Sequence, residues 1–146
     1  LGPHTRGRRA VNPKQATLQA RTKRFALDVL DLVETFPHQG PAVRIGWQLV
    51  DAATSIGANY RAACRARSDA EFAAKIGQVL EESDESLFWL ELCDARAIGL
   101  GPLRGRLLGE ANELTAIFAA SSITARQTAA AGRPTSARRS DYERRT

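Results

Sequence analysis

The chain has little equipment for metal or nucleophile chemistry: two histidines, two cysteines and no methionine in 146 residues. His4 lies in a basic stretch and His38 beside Pro37, while Cys64 and Cys93 sit far apart inside helical patterns. No spacing among them matches a zinc site, and the thiols read as small buried hydrophobes rather than a disulfide. Ser83 and Ser86 have no histidine base nearby. Glu81, Glu82, Asp84 and Glu85 lack the Glu-x-x-His partners of a two-metal bundle site and read as a solvated face. Gly99-Leu100-Gly101 follows no strand, so it is a helix stop and not a phosphate loop. No catalytic residue, metal or cofactor is expected.

Two further absences set the class. No apolar run approaches the roughly 18 residues of a membrane span, and no Val/Ile/Thr-rich alternating run reaches strand length. The first ten residues are polar and basic, without the apolar segment of a secretory signal, so the expected setting is the cytoplasm, away from membranes. The missing methionine fits a chain that begins after a removed start, and Leu1 to His4 are set aside as a cloning remnant.

Four segments with helical periodicity remain. Leu18, Thr22, Phe25, Val29, Val33 and Phe36 form one stripe of a first helix, from about Thr17 to Phe36, broken by Pro37 and Gly40. Pro41 opens a second helix to about Arg65, with Ile45, Leu49, Ala52, Ile56, Tyr60 and Ala63 inward. Ser68 to Glu71 is a capping box that starts a third, striped by Phe72, Ile76, Val79, Ser83, Leu87 and Leu90. It runs to about Ala97 and stops at Gly99 and Gly101. The fourth, about Pro102 to Ala125, carries Leu103, Leu107, Ala111, Leu114, Phe118 and Ser121. With connections this short, the expected fold is an all-α, up-down-up-down antiparallel four-helix bundle over residues 17–126. Basic tails of disordered composition, 1–16 and 127–146, flank it.

The apolar residues exceed what one core needs. Trp47 and Val50 oppose the inner stripe of the second helix; Phe88 and Leu92 oppose that of the third, with Trp89 on its flank, and Leu27 does the same on the first. Isolated exposed apolars are common. Two tryptophans and a phenylalanine among them favour an interface between copies of the chain.

Charge is divided unevenly. Residues 1–24 hold seven Lys or Arg and no carboxylate, residues 126–146 are net +4, and residues 25–125 are net −6. Bundle topology brings Arg21, Lys23, Arg24, Arg61, Arg65, Arg67 and Arg126 toward one end, a basic pole suited to phosphate backbones. Two other readings stay open. Arg61 and Arg65 also suit a helix C-terminus, and the tails could cover acidic faces of neighbouring subunits. No aromatic stands among the exposed basic residues, so base stacking is not expected.

The segments Ala53-Thr54-Ser55-Ile56-Gly57-Ala58-Asn59-Tyr60-Arg61, Ser68 with Glu71-Phe72, and Glu82-Ser83-Asp84-Glu85-Ser86 with Trp89-Leu90 carry a resemblance. Over about Leu18 to Ile123 the chain resembles the four-helix bundle proteins encoded by intervening sequences in bacterial 23S ribosomal RNA genes. Their fold group includes the accessory variability protein of diversity-generating retroelements, similar to a basic homopentameric barrel that binds nucleic acid and a reverse transcriptase. The resemblance implies a non-enzymatic homopentamer with nucleic acid and a reverse transcriptase as partners. One position departs: Ala62 stands where the family usually has glutamate after Asn-Tyr-Arg. Asn59 and Arg61 are the matched polar positions, and a helix–helix hydrogen bond is the favoured account of Asn59. A protein–protein scaffold without a nucleic-acid role is the competing expectation.

Overall fold

The computed structural model describes residues 11–132. Four helices follow one another: α1 Pro13–Glu34, α2 Pro41–Cys64, α3 Asp69–Ala95 and α4 Gly101–Ala131. Sequential neighbours pack side by side, α4 closes weakly on α1, and the diagonal pairs do not meet, so the chain is an all-α four-helix bundle.

The helix ends show where local chemistry overrides periodicity. α1 starts at Pro13, four residues before Thr17, because Asn12 and Gln15 form a capping box: the Gln15 N–H donates to Asn12 Oδ1 at 2.8 Å. Residues 13–16 therefore belong to the bundle and not to a tail. α4 runs on to Ala131, so residues 127–131 are helical as well. Nothing between Ala125 and Ala131 stops a helix, and alanine favours one. The remaining tail positions, 1–10 and 133–146, lie outside the described residues. At α3 the Glu71 N–H donates to Ser68 Oγ at 3.0 Å, but the Glu71 carboxylate accepts the Arg67 N–H rather than that of Ser68.

α3 ends before its glycines. Ile98 N–H bonds to Cys93 O at 2.8 Å and Ala97 N–H to Asp94 O at 3.2 Å, a Schellman closure with Ala97 in the left-handed region at φ 52. Gly99, at φ 84, makes the next bend, where a Cβ would stand 2.6 Å from the Phe36 ring. That approach seats Phe36 beneath the α3–α4 turn.

Phe25, Val29, Leu32, Leu49, Ile56, Ile76, Leu90, Leu107, Leu114 and Phe118 form the buried core. Leu18, Val33, Ile45, Phe72, Leu87 and Leu103 pack at its margin. Gly46 lets α1 and α2 come close, since a Cβ there would meet Val33 at 3.0 Å. The stripes are those of the periodicity, displaced by one residue on α4, where Ser122 is buried and Ser121 half-buried. The stripes omit several buried residues, Leu32, Ala53, Ser86 and Cys93 among them, and Asp28 is the charged one.

Candidate nucleic-acid pole and association surfaces

Cross-helix bonds fix the register of α1 against α4. Leu100 N–H meets Thr35 Oγ1, Arg106 meets Asp28, and Arg21 meets Glu110 and Glu113. Extended, this register puts Pro13 across from about Ser121. Lys14, the α2 end with Arg61, Arg65 and Arg67, and the last turns of α4 with Arg126 thus share one end of the bundle.

Arg21, Lys23 and Arg24 do not join them. They lie at mid-height on α1 because the helix begins earlier than its periodicity indicates. Arg21 is bound by two carboxylates of α4, its Nη2 lying 3.1 Å from Glu110 Oε2. The Glu110 hydrogen bond is the main reason that its pKa stays above the ordinary arginine value, against the opposing effect of burial. Arg24 forks onto Asp28 at 2.7 and 3.0 Å, and Arg106 Nη1 reaches the other Asp28 oxygen at 3.1 Å. Burial alone would raise the Asp28 pKa; the hydrogen bonds and charges of Arg24 and Arg106 outweigh it and hold the carboxyl below its ordinary value. Arg21 and Arg24 therefore tie α1 to itself and to α4. Among the described residues Lys23, Arg61, Arg65, Arg67 and Arg126 make no ion pair.

The outward apolar residues divide into two surfaces. Trp47, 67% exposed, lies over a groove of about 350 Å³ between α1 and α2, lined also by Leu30, Val33, Pro37, Val43 and Val50. Leu27 on α1 is also exposed. Phe88, 51% exposed, stands edge-on to Trp89 on α3, ring centroids 5.2 Å apart. Val50 and Trp89 are half-buried and pack against the core, so they are margins of these surfaces rather than free faces. Leu92 is half-buried too. A helix-wheel angle near the core edge cannot tell these states apart. Trp89 Nε1–H donates to Glu85 at 3.2 Å, beside a crowded acidic strip. There, burial and then Glu85, Glu81 and Asp51 push the Glu82 pKa up.

Among the described residues no group of three or more His, Cys, Asp or Glu could hold a metal. Ser83 and Ser86 donate to the carbonyls of Val79 and Glu82 at 2.9 and 2.8 Å, one turn back, which satisfies their hydroxyls inside the helix. Cys93 is buried, which raises its thiol to about 11. Cys64 is half-buried beside Tyr60, whose own pKa is pushed up, chiefly by burial. Asn59 is half-buried, without a side-chain hydrogen bond to another helix. No described helix is long and apolar enough to cross a membrane.

One feature escaped the periodicity. A cleft of about 1030 Å³ opens at the basic end among Leu18, Tyr60, Cys64, Phe72, Ile117 and Thr128. It depends on unequal helix lengths, which no single stripe encodes.

No curated protein matches the chain. Among solved structures, it is similar to a protein of unknown function from the S23 ribosomal protein family of Bacteroides thetaiotaomicron, at 23% identity and a TM-score of 0.64. That likeness covers 72% of this chain and 97% of the other, and it supports the fold alone. A family model described as 23S rRNA-intervening sequence protein matches residues 14–120, from the start of α1 to within the last three turns of α4, so the chain belongs to that family.

Proposed function

We propose that this chain is a non-enzymatic homo-oligomeric adaptor that binds structured RNA or DNA through the basic end of its bundle. The observation that carries this reading is the set of cations there, Arg61, Arg65, Arg67 and Arg126 with Lys14, left without carboxylate partners among the described residues. Such charges bind phosphates by releasing counterions, largely without reading bases. The mid-helix arginines take no part. Trp47 with its groove and Phe88 with Trp89 support self-association. They are different surfaces on different helices, so copies meet head to tail, as in a closed ring. By family likeness the ring has five subunits, works in the cytoplasm and presents nucleic acid to a protein such as a reverse transcriptase.

A pure protein scaffold is the second reading, favoured by one observation: Arg21 and Arg24 show this chain using arginine for internal pairing. Changing Arg61, Arg65 and Arg67 together to Glu separates the two. The variant should lose gel retention of a stem-loop RNA while its particle size in light scattering stays that of the parent. Retention unchanged would end the phosphate reading, and a dissociated particle would place the arginines between subunits.

A further inference from the structure

The cations of the basic end stand on supports of different kinds. Arg61 belongs to the last turn of α2, whereas Arg65 is the C-cap of that helix and Arg67 lies in the turn before α3. Connecting segments are the more mobile parts of a fold, and a loosely held cation loses affinity to the ordering that binding requires.

This turn is held at each of its amides. The Arg65 N–H donates to Ala62 O at 3.1 Å and the Ala66 N–H to Ala63 O at 3.0 Å, which tightens the end of α2. The Arg67 N–H donates to the Glu71 carboxylate at 2.9 Å, and the Glu71 N–H donates to Ser68 Oγ at 3.0 Å. All three residues between Cys64 and the N-cap Ser68 therefore have a main-chain tie, and the last of them comes from a side chain of α3.

That last tie is a capping box displaced by one residue. On α1 the ordinary box is closed, with Gln15 Oε1 accepting the N–H of the N-cap Asn12 itself at 3.3 Å. Glu71 reaches past its N-cap to the residue before it. A closed box steadies the helix that contains it; the displaced one also fastens that helix to the turn carrying Arg65 and Arg67. Among the described residues Glu71 forms no ion pair with either guanidinium, so its hydrogen bond is to the main chain and leaves both cations available.

We propose that Glu71 is a positioning residue of the phosphate-binding end: its bond to the Arg67 amide fixes the points from which Arg65 and Arg67 leave the main chain. The inference deepens the phosphate reading given above and rests on it. By charge alone Glu71 would oppose a phosphate ligand. Bond and charge thus act in opposite directions, and substitution can separate them.

The test uses the full chain and a fluorescent stem-loop RNA, with affinity read by anisotropy at one fixed salt concentration. Glu71→Gln keeps an acceptor and loses the charge. Glu71→Asp keeps the charge on a side chain one methylene shorter, and Glu71→Ala loses both. Amide exchange at Arg67 shows which variants retain the bond. The Gln variant should keep Arg67 protected and bind RNA at least as tightly as the parent. The Asp and Ala variants should lose that protection and bind about threefold to tenfold more weakly, with helicity retained. If alanine unravels the start of α3, the Asp variant carries the comparison, because its charge still suits a helix N-terminus. Affinity that does not follow Arg67 protection overturns the proposal. Tighter binding by the Ala variant would make Glu71 a repelling charge and nothing more, and weak binding by a protected Gln variant would make the charge itself the requirement. The phosphate reading is judged separately, on the parent and on the variant with Arg61, Arg65 and Arg67 changed to Glu. If the parent fails to bind, or the triple variant still binds, both inferences fall; if that pair behaves as expected and the Glu71 variants do not, only this one does.

Discussion

Ala97 holds a backbone conformation that glycine usually takes. At the C′ position of α3 its φ is 52, and only the two Schellman hydrogen bonds with Cys93 and Asp94 as acceptors keep it there. A β-carbon in this region costs about 1–2 kcal/mol, part of which glycine returns through the entropy of the unfolded chain. Ala97→Gly should therefore raise stability by about 0.5–1 kcal/mol, seen as a higher urea midpoint at unchanged slope. An unchanged or lower midpoint would mean that the Ala97 methyl makes a packing contact worth more than the strain. Two residues on, the opposite rule applies, because a methyl on Gly99 would collide with the Phe36 ring. The glycines announced a stop in the sequence. They did not announce that the chain turns two residues earlier, since alanine carries no signal for a left-handed backbone.

The seam between α1 and α4 is the narrowest in the bundle, and charge closes it. Asp28 holds Arg24 on its own helix and Arg106 across the seam, with Arg21 on Glu110 and Glu113 one further pairing along. Because Asp28 is buried and both its arginines are more than half exposed, removing the carboxylate charge costs one side of a charged hydrogen-bond set while the arginines return to water. Asp28→Asn should lower stability at neutral pH by about 1–3 kcal/mol. The folded pKa lies below the unfolded one, so the carboxylate's contribution is complete above the ordinary carboxylate range. It is lost as pH falls through the folded value. Urea midpoints of the two proteins should differ by a constant amount from pH 7 to about pH 5 and converge below about pH 4. A difference that persists undiminished into acid would assign the effect to shape, not charge. Helix number, order and inner stripes were legible in the sequence, because burial imposes a period that leucine, valine and phenylalanine display directly. Asp28 was not: its burial depends on two arginines separated from it by 4 and 78 residues, and only the fold brings the second one near. The cleft at the basic end was hidden for a related reason, since among the described residues it depends on both the Asn12 cap and the extra turns of α4.

At the scale of the whole molecule, most of the described cations without an ion pair gather at one end, Arg44 and Arg96 apart, while Trp47 and the Phe88–Trp89 pair stand on separate helices nearer the other. On the reading proposed above, the 67% exposure of Trp47 serves a contact with another copy of the chain. Head-to-tail contact makes a sharper demand than association alone. Trp47→Ser removes one side of the contact and Phe88→Ser the other, so each variant by itself should fall to a monomer in light scattering with helicity retained. Mixed in equal amounts, they should form a dimer that grows no further, because each supplies the surface the other has lost and the remaining two surfaces are both defective. If each surface meets its own copy instead, each single variant stops at a dimer held by its intact patch. A mixture then yields nothing larger. Loss of helicity in either variant would show that the side chain supports the core, and then the surface it occupies is not a subunit contact.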